Sequence, residues 1–98
     1  GSCVITPFVA IPHIIVDGKQ VFKILLVRSR EGITFEEDSS VKAFFVIVGS
    51  QDMRNMHLKA LAAIAHIVQN PEFERRWTIA RNEAQLKDIL LLAERIRM

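Results

Sequence analysis

The chain has 98 residues, of which 50% are hydrophobic and 24% are charged, and its formal net charge is +2. This length is enough for one small domain, and this composition excludes an intrinsically disordered chain. Acidic and basic residues alternate along the second half, so we expect no nucleic-acid partner. The single cysteine, Cys3, cannot form an internal disulfide, and no apolar run reaches the ~20 residues of a membrane-spanning helix.

The first half of the chain is predicted to form strands. In Val9-Ala10-Ile11-Pro12-His13 an apolar run ends in a proline followed by a single histidine, and proline fixes its own φ and lacks an N–H group. The run therefore predicts an edge strand, a bulge or a strand end, with His13 at the interruption. Asp17-Gly18 lies between two apolar runs, which predicts a hairpin turn leading to a second strand over 21–27.

Two unbroken apolar runs lie within the predicted strands over 21–27 and 41–48. Such runs are typical of strands that are covered on both faces, and the strand over 41–48 is predicted to lie inside the sheet. A polar, acidic loop over 36–40 precedes that strand. A solvated loop explains its carboxylates, although cation binding by Glu36, Glu37 and Asp38 is an alternative.

From residue 50 the sequence becomes helical. Ser50 or Asp52 is predicted to cap a helix that begins near Arg54, and the apolar stripe of this helix is predicted at Leu58, Leu61, Ala62, Ala65 and Val68. Asn70-Pro71 predicts a second helix, to about residue 80, with Phe73 and Trp77 in the core. Asn82, with Gln85 in a capping-box position, predicts the start of a third helix.

Strands followed by helices predict an α/β (α+β) domain, a mixed β-sheet packed with helices. Three late helices cover only one face of such a sheet well. The chain is therefore expected to be part of a larger domain, or one half of a homo-oligomer.

Two histidines are the candidate functional residues. Histidine near neutral pH serves as nucleophile, base or metal ligand, and His13 stands where a strand is interrupted. His57 falls in the predicted first turn of a helix, where free N–H groups and the helix dipole attract anions. If the two elements converge, His13 is the nucleophile and His57 stabilises the developing charge of a phosphoryl group. The alternative is that both histidines have only structural roles.

Other chemistries have weaker support in the sequence. A zinc site formed by Cys3, His13 and His57 is an alternative, but no local metal-binding spacing accompanies it, so we predict no metal and no cofactor. His66 lies about two and a half helical turns after His57 and is predicted to point away from it. The sequence contains no glycine-rich phosphate loop.

Three segments of the chain resemble a known family. Ala10-Ile11-Pro12-His13 resembles the active-site motif of the type-2 EIIA domains of the bacterial phosphotransferase system, the fructose/mannitol class. His57-Leu58-Lys59-Ala60-Leu61-Ala62 and Asn70-Pro71-Glu72-Phe73 follow in the family's order. The resemblance implies the EIIA-like fold and a phosphohistidine at His13, formed by transfer from the phosphocarrier protein HPr, with His57 beside it.

The resemblance also implies a domain organisation. Residues 1–98 correspond to a single domain, the C-terminal two-thirds of the family domain, and the family's upstream arginine has no counterpart here. The chain is similar to copies fused to membrane transporters, including cation/proton antiporters, rather than to those of sugar permeases. We therefore expect a cytoplasmic module whose partner is HPr or a cis-linked transporter domain.

Three functions are compatible with the sequence. The first is a phosphoryl-accepting or phosphorylation-sensing EIIA domain, a phosphohistidine carrier if active. The second is a non-catalytic regulatory and dimerisation module that has kept the fold. The third is a sensor that binds a small ligand in the same pocket.

Overall fold

The computed structural model describes the backbone of residues 3–35 and 39–97, and side chains up to residue 91. Over these residues, strands precede helices, and one turn of 3₁₀-helix, Gln51–Met53, joins the last strand to the first helix. The elements are β1 (Val9–Ala10), β2 (His13–Val16), β3 (Phe22–Ile33), β4 (Val41–Ser50), α1 (Arg54–Val68), α2 (Phe73–Ile79) and α3 (Glu83–Arg97). This order confirms the predicted mixed α/β fold. The predicted acidic loop falls largely on residues 36–38, outside the described residues.

β4 is the centre of the sheet. β1 and β2 run parallel to it along one side, and β3 runs antiparallel along the other. The apolar run over 41–48 therefore forms the predicted inner strand. Its residues alternate between the two faces, so that Ala43, Phe45 and Ile47 contact the main core.

The interruption predicted at Pro12 separates β1 from β2. Ile11 donates its N–H to the Cys3 carbonyl at 2.9 Å, away from β4. The Pro12 carbonyl accepts from the Ile47 N–H at 2.9 Å, which brings the chain back to β4 directly before His13. The break therefore places His13 as the first residue of β2.

The predicted hairpin at Asp17-Gly18 is wrong. β2 and β3 do reverse direction, but they lie on opposite sides of β4 and pair with it instead of with each other. Residues 17–20, the crossing loop, pass over the end of β4. Two of its residues have left-handed backbone conformations, Gly18 with φ +113° and Gln20 with φ +58°.

Among the described residues, helices pack against only one face of the sheet. On the other face Leu25 and Val27 of β3 are 50% and 47% exposed, so the prediction that this strand is covered on both faces is wrong. β3 also continues past its predicted end to Ile33, through an irregularity that follows Arg28.

α1 departs from its predicted cap and stripe. No side-chain hydrogen bond caps it, and Met53 occupies the N-cap position. Ile64, Ile67 and Val68 are its buried residues, whereas Leu58 is 51% exposed. The predicted stripe is therefore confirmed at Val68, and Leu61 packs against the core, but it is wrong at Leu58 and Ala62, which are exposed.

α2 and α3 agree more closely with the sequence. Phe73 and Trp77 are buried as predicted, and the Trp77 indole N–H donates to the Lys42 carbonyl at 3.1 Å. The Arg28 guanidinium donates to the carbonyls of Trp77 and Ala80, which ties the end of α2 to β3. At the start of α3 the Gln85 N–H donates to Asn82 Oδ1 at 3.0 Å, as predicted.

Candidate histidine site

His13 and His57 lie side by side at one end of the sheet. Their ring centroids are 4.7 Å apart, and the ring planes meet at 86° in an edge-to-face arrangement. His13 is exposed and His57 is partly exposed. The two histidines singled out in the sequence are therefore brought together, with solvent access to the pair.

The register of β2 explains the position of His13. It pairs with Ile47 of β4, and paired residues of neighbouring strands point to the same face of a sheet. Ile47 is fully buried beneath the helices. His13 therefore lies on the helix side of the sheet, where α1 begins.

The position of His57 depends on the short connection after β4. β4 ends at Ser50, one 3₁₀ turn follows, and α1 begins at Arg54. His57 is thus in the first turn of a 15-residue helix, whose first N–H groups have no partner within the helix. No acidic residue lies in this first turn, so no carboxylate of α1 itself offsets the positive end of its dipole.

The environment favours a neutral His57 ring. Partial burial lowers the pKa of His57 below 6.5, and the charge of His13 lowers it further. A neutral imidazole has one N–H donor and one acceptor nitrogen. The pair can therefore offer both a nucleophilic nitrogen and a hydrogen-bond donor near neutral pH.

Exposed apolar residues are close in sequence to both histidines. Ile15, two residues after His13 on the same face of β2, is 59% exposed. Met56 and Leu58, on either side of His57 in the sequence, are 44% and 51% exposed. We refer to Ile15, Met56 and Leu58 as the apolar rim.

Comparison with known proteins assigns the family. The model of the family described as "Phosphoenolpyruvate-dependent sugar phosphotransferase system, EIIA 2" matches residues 1–92. The chain belongs to this family. The resemblance seen at His13 and His57 thus extends over nearly the whole sequence.

A solved structure shows the EIIA fold independently. The crystal structure of nitrogen regulatory protein IIA-Ntr from Neisseria meningitidis superposes with a TM-score of 0.83 at 22% sequence identity. The match covers 92% of this chain and 63% of that one, so the chain spans less than two-thirds of that protein's length. No curated protein sequence matches this EIIA chain.

The other candidate residues lie apart from this pair. His66 is an exposed residue near the end of α1. In the part of the chain that the structure describes, no three His, Cys, Asp or Glu side chains lie close enough to hold a metal ion, so Cys3 does not complete a zinc site. Within residues 3–35 and 39–97, no helix has the length and apolar character needed to cross a membrane.

Sequence reasoning missed one group of residues near the site. The sequence predicts that Ser50 or Asp52 caps the helix, but Asp52 binds the crossing loop and Ser50 binds Val21, the residue that follows the loop. Gln20 donates its N–H to Asp52 Oδ2 at 2.9 Å, and Val21 donates its N–H to Ser50 Oγ at 3.1 Å. A cap and a loop anchor use the same residue types, so the sequence carried no signal that distinguishes them.

Proposed function

We propose that this chain is a phosphoryl-accepting or regulatory EIIA domain of the phosphoenolpyruvate-dependent phosphotransferase system. His13 is the phosphoryl acceptor and His57 stabilises the charge. The observation that supports this proposal is the pair of rings, 4.7 Å apart, at the first turn of α1. It combines a nucleophile with a site suited to an anion.

The transfer step follows from the chemistry of two imidazoles. A ring nitrogen of His13 attacks the phosphorus of a donor phosphohistidine. A new N–P bond forms on His13 while the donor's N–P bond breaks, and its electron pair returns to the donor ring. Each ring keeps the proton on its other nitrogen, so no proton crosses with the phosphoryl group. The N–H of His57 and those of α1 donate to the phosphoryl oxygens as charge builds up.

A protein donor suits this site. The rings are at the surface, and the apolar rim offers contact area that a small phosphorylated metabolite would not use. We propose the phosphocarrier protein HPr as the donor, on the basis of the family resemblance. A docked protein would also exclude water from the reacting atoms.

We further propose that the chain functions as one EIIA domain and acts in the cytoplasm on a membrane transporter domain linked in cis. This part of the proposal rests on the resemblance to domains fused to transporters. The full-length open reading frame tests it directly. A reading frame with neither a fused nor an adjacent transporter would contradict it.

Labelling the chain tests the transfer. Phosphoenolpyruvate, enzyme I and HPr are incubated with the wild type and with His13→Ala, followed by intact-mass analysis under alkaline conditions, where phosphohistidine survives. His66→Ala is the matched control, because it removes an exposed histidine far along α1. We expect label on the wild type and on His66→Ala only. Label on His13→Ala would refute the assignment of the acceptor.

A second candidate function is a non-catalytic regulatory and dimerisation module. The observation that favours it is the uncovered face of the sheet, where Ile14, Leu25 and Val27 are 46%, 50% and 47% exposed. Contiguous apolar surface of this kind is typical of interaction sites. The module would self-associate through this face without accepting a phosphoryl group. Sedimentation of the wild type and of Leu25→Ser measures this self-association. Absence of label in the phosphorylation experiment then distinguishes this module from the first proposal.

A further inference from the structure

The crossing loop is fixed to the segment that leads into α1. Its last residue, Gln20, donates its N–H to Asp52 Oδ2 at 2.9 Å, and the next residue, Val21, donates to Ser50 Oγ at 3.1 Å. The Ser50 N–H donates back to the Val21 carbonyl at 2.9 Å. The Ser50 hydroxyl also donates to Asp52 Oδ1, which joins these contacts into one network.

This network lies where β2 ends and the chain leads into α1, the two elements that carry the histidines. β2 begins at His13 and ends at Val16, which pairs with Ser50. The crossing loop follows directly. On the other side of the network, Asp52 lies in the 3₁₀ turn that leads into α1 and His57. The same hydrogen bonds therefore connect the strand that carries one histidine to the helix that carries the other.

The backbone of Gln20 indicates that the network is maintained against a conformational cost. Gln20 has φ +58°, a left-handed conformation that is unfavourable for a residue other than glycine. Ser50 is 2% exposed, and its hydroxyl is satisfied within the network. The Ser50 hydroxyl and then the Gln20 N–H lower the pKa of the Asp52 carboxyl group.

We propose that Ser50 and Asp52 are positioning residues of the histidine site: by fixing the crossing loop to the start of α1, they set the separation of His13 and His57. The part of this proposal that concerns phosphoryl transfer rests on the proposed function. The geometric part does not, because the separation of the rings can be measured without phosphorylation.

Titration of the histidines by NMR tests the geometry. The pKa of His57 is lowered by burial and by the charge of His13. If Asp52→Ala releases the first turn of α1, both causes weaken and the pKa of His57 rises towards its ordinary value. Loss of the Asp52 charge alone has the opposite effect, because a neighbouring carboxylate favours the imidazolium form. The sign of the change therefore separates a positioning role from a purely electrostatic one.

The variants are chosen to isolate the network. Ser50→Ala removes one hydroxyl and should shift the pKa in the same direction as Asp52→Ala. Asp52→Asn keeps an oxygen that can accept the Gln20 N–H, so the pKa of His57 should rise less in this variant than in Asp52→Ala. Asp17→Ala is the matched control, since it removes an exposed carboxylate of the crossing loop that forms no hydrogen bond or ion pair among the described residues. Buried Trp77 reports by fluorescence that each variant is folded.

We expect a higher His57 pKa and weaker ring-to-ring nuclear Overhauser effects in Asp52→Ala and Ser50→Ala, and no increase in Asp17→Ala. An unchanged or lower pKa with intact Overhauser effects in both variants would overturn the proposal. Where the wild type is phosphorylated, transfer to His13 should slow roughly 10-fold or more in Asp52→Ala, as expected when reacting groups are displaced. A wild type that is never phosphorylated would refute the proposed function and leave the titration result standing.

Discussion

Replacing His57 should slow phosphoryl transfer without unfolding the protein. A phosphoryl group on His13 would lie next to the His57 ring, since the two centroids are 4.7 Å apart. A hydrogen bond to a charged group contributes about 1.5–3 kcal/mol. His57→Ala removes one such donor, so the rate of transfer to His13 should fall roughly 10- to 100-fold, at about 1.4 kcal/mol per factor of ten.

The stability of the same variant should change little. His57 is partly exposed and is not among the buried residues of α1. A substitution of this kind changes the free energy of unfolding by about 1 kcal/mol or less. Rate and stability should therefore separate in this variant, which excludes unfolding as the cause of slow transfer.

The assay mixes the chain with phosphorylated HPr, stops the reaction with alkali at successive times and measures the phosphorylated fraction by intact mass. His66→Ala is the control for removal of a histidine from α1. His57→Gln, which keeps an N–H donor, should recover part of the lost rate. If His57→Ala accepts phosphate within about twofold of the rate of His66→Ala, the role of His57 as charge stabiliser is wrong.

Further predictions concern the fold and its pH dependence. Gly32→Ala should lower the free energy of unfolding in urea by about 1–3 kcal/mol, because the new Cβ would overlap Ser40 Oγ and the backbone φ is +86°. The double variant Gly32→Ala/Ser40→Ala should recover only the part of this loss that is due to the overlap. Trp77→Phe leaves the Lys42 carbonyl without its indole donor and should lower the free energy of unfolding, followed by circular dichroism, by about 1–3 kcal/mol. An unchanged free energy of unfolding would show that this hydrogen bond does not stabilise the fold. The pKa of His57 is lower in the folded state than in the unfolded chain, so the unfolded chain binds the proton more readily. The contribution of His57 to stability is therefore complete above pH 6.5 and is lost as the pH falls through its folded-state pKa. Acidification from about pH 7.5 to about pH 5 should therefore destabilise the wild type more than His57→Gln, and equal losses would contradict this assignment.

The sequence predicted the parts of the fold that depend on local pattern. The apolar run of β4 indicated an inner strand, and Phe73 and Trp77 at helical spacing indicated a buried face; both are confirmed. The cap at Asn82 is confirmed because it involves residues only three positions apart. The interruption at Pro12 follows from the missing N–H group of proline.

The errors concern relations between distant segments. Asp17-Gly18 indicated a reversal of the chain, and the chain does reverse there. Whether the strands that flank such a reversal pair with each other depends on β4, which inserts between them. The apolar residues of β3 likewise did not indicate which of its faces the helices would cover. Both outcomes are set by tertiary packing, which outweighs local propensity.

At the site, the two histidines were found from their residue type and family resemblance, but their contact could not be derived from spacing. They meet because Ile47 aligns His13 with the helix side of the sheet. The roles of Ser50 and Asp52 were missed for a related reason, since their partners Gln20 and Val21 lie about 30 positions earlier in the chain.

The central position of β4 also determines when the histidine site can first exist during synthesis. His13 lies on a four-residue strand whose described ladder partner is β4, so a nascent chain that ends before residue 41 leaves β2 without that partner. Pairing between distant segments is slow, because the intervening loop must close before any contact forms. His57 follows β4, so the two rings can meet only after β4 has inserted between β2 and β3. Until α1 has left the ribosome, the newly made chain therefore contains His13 but cannot form the histidine pair.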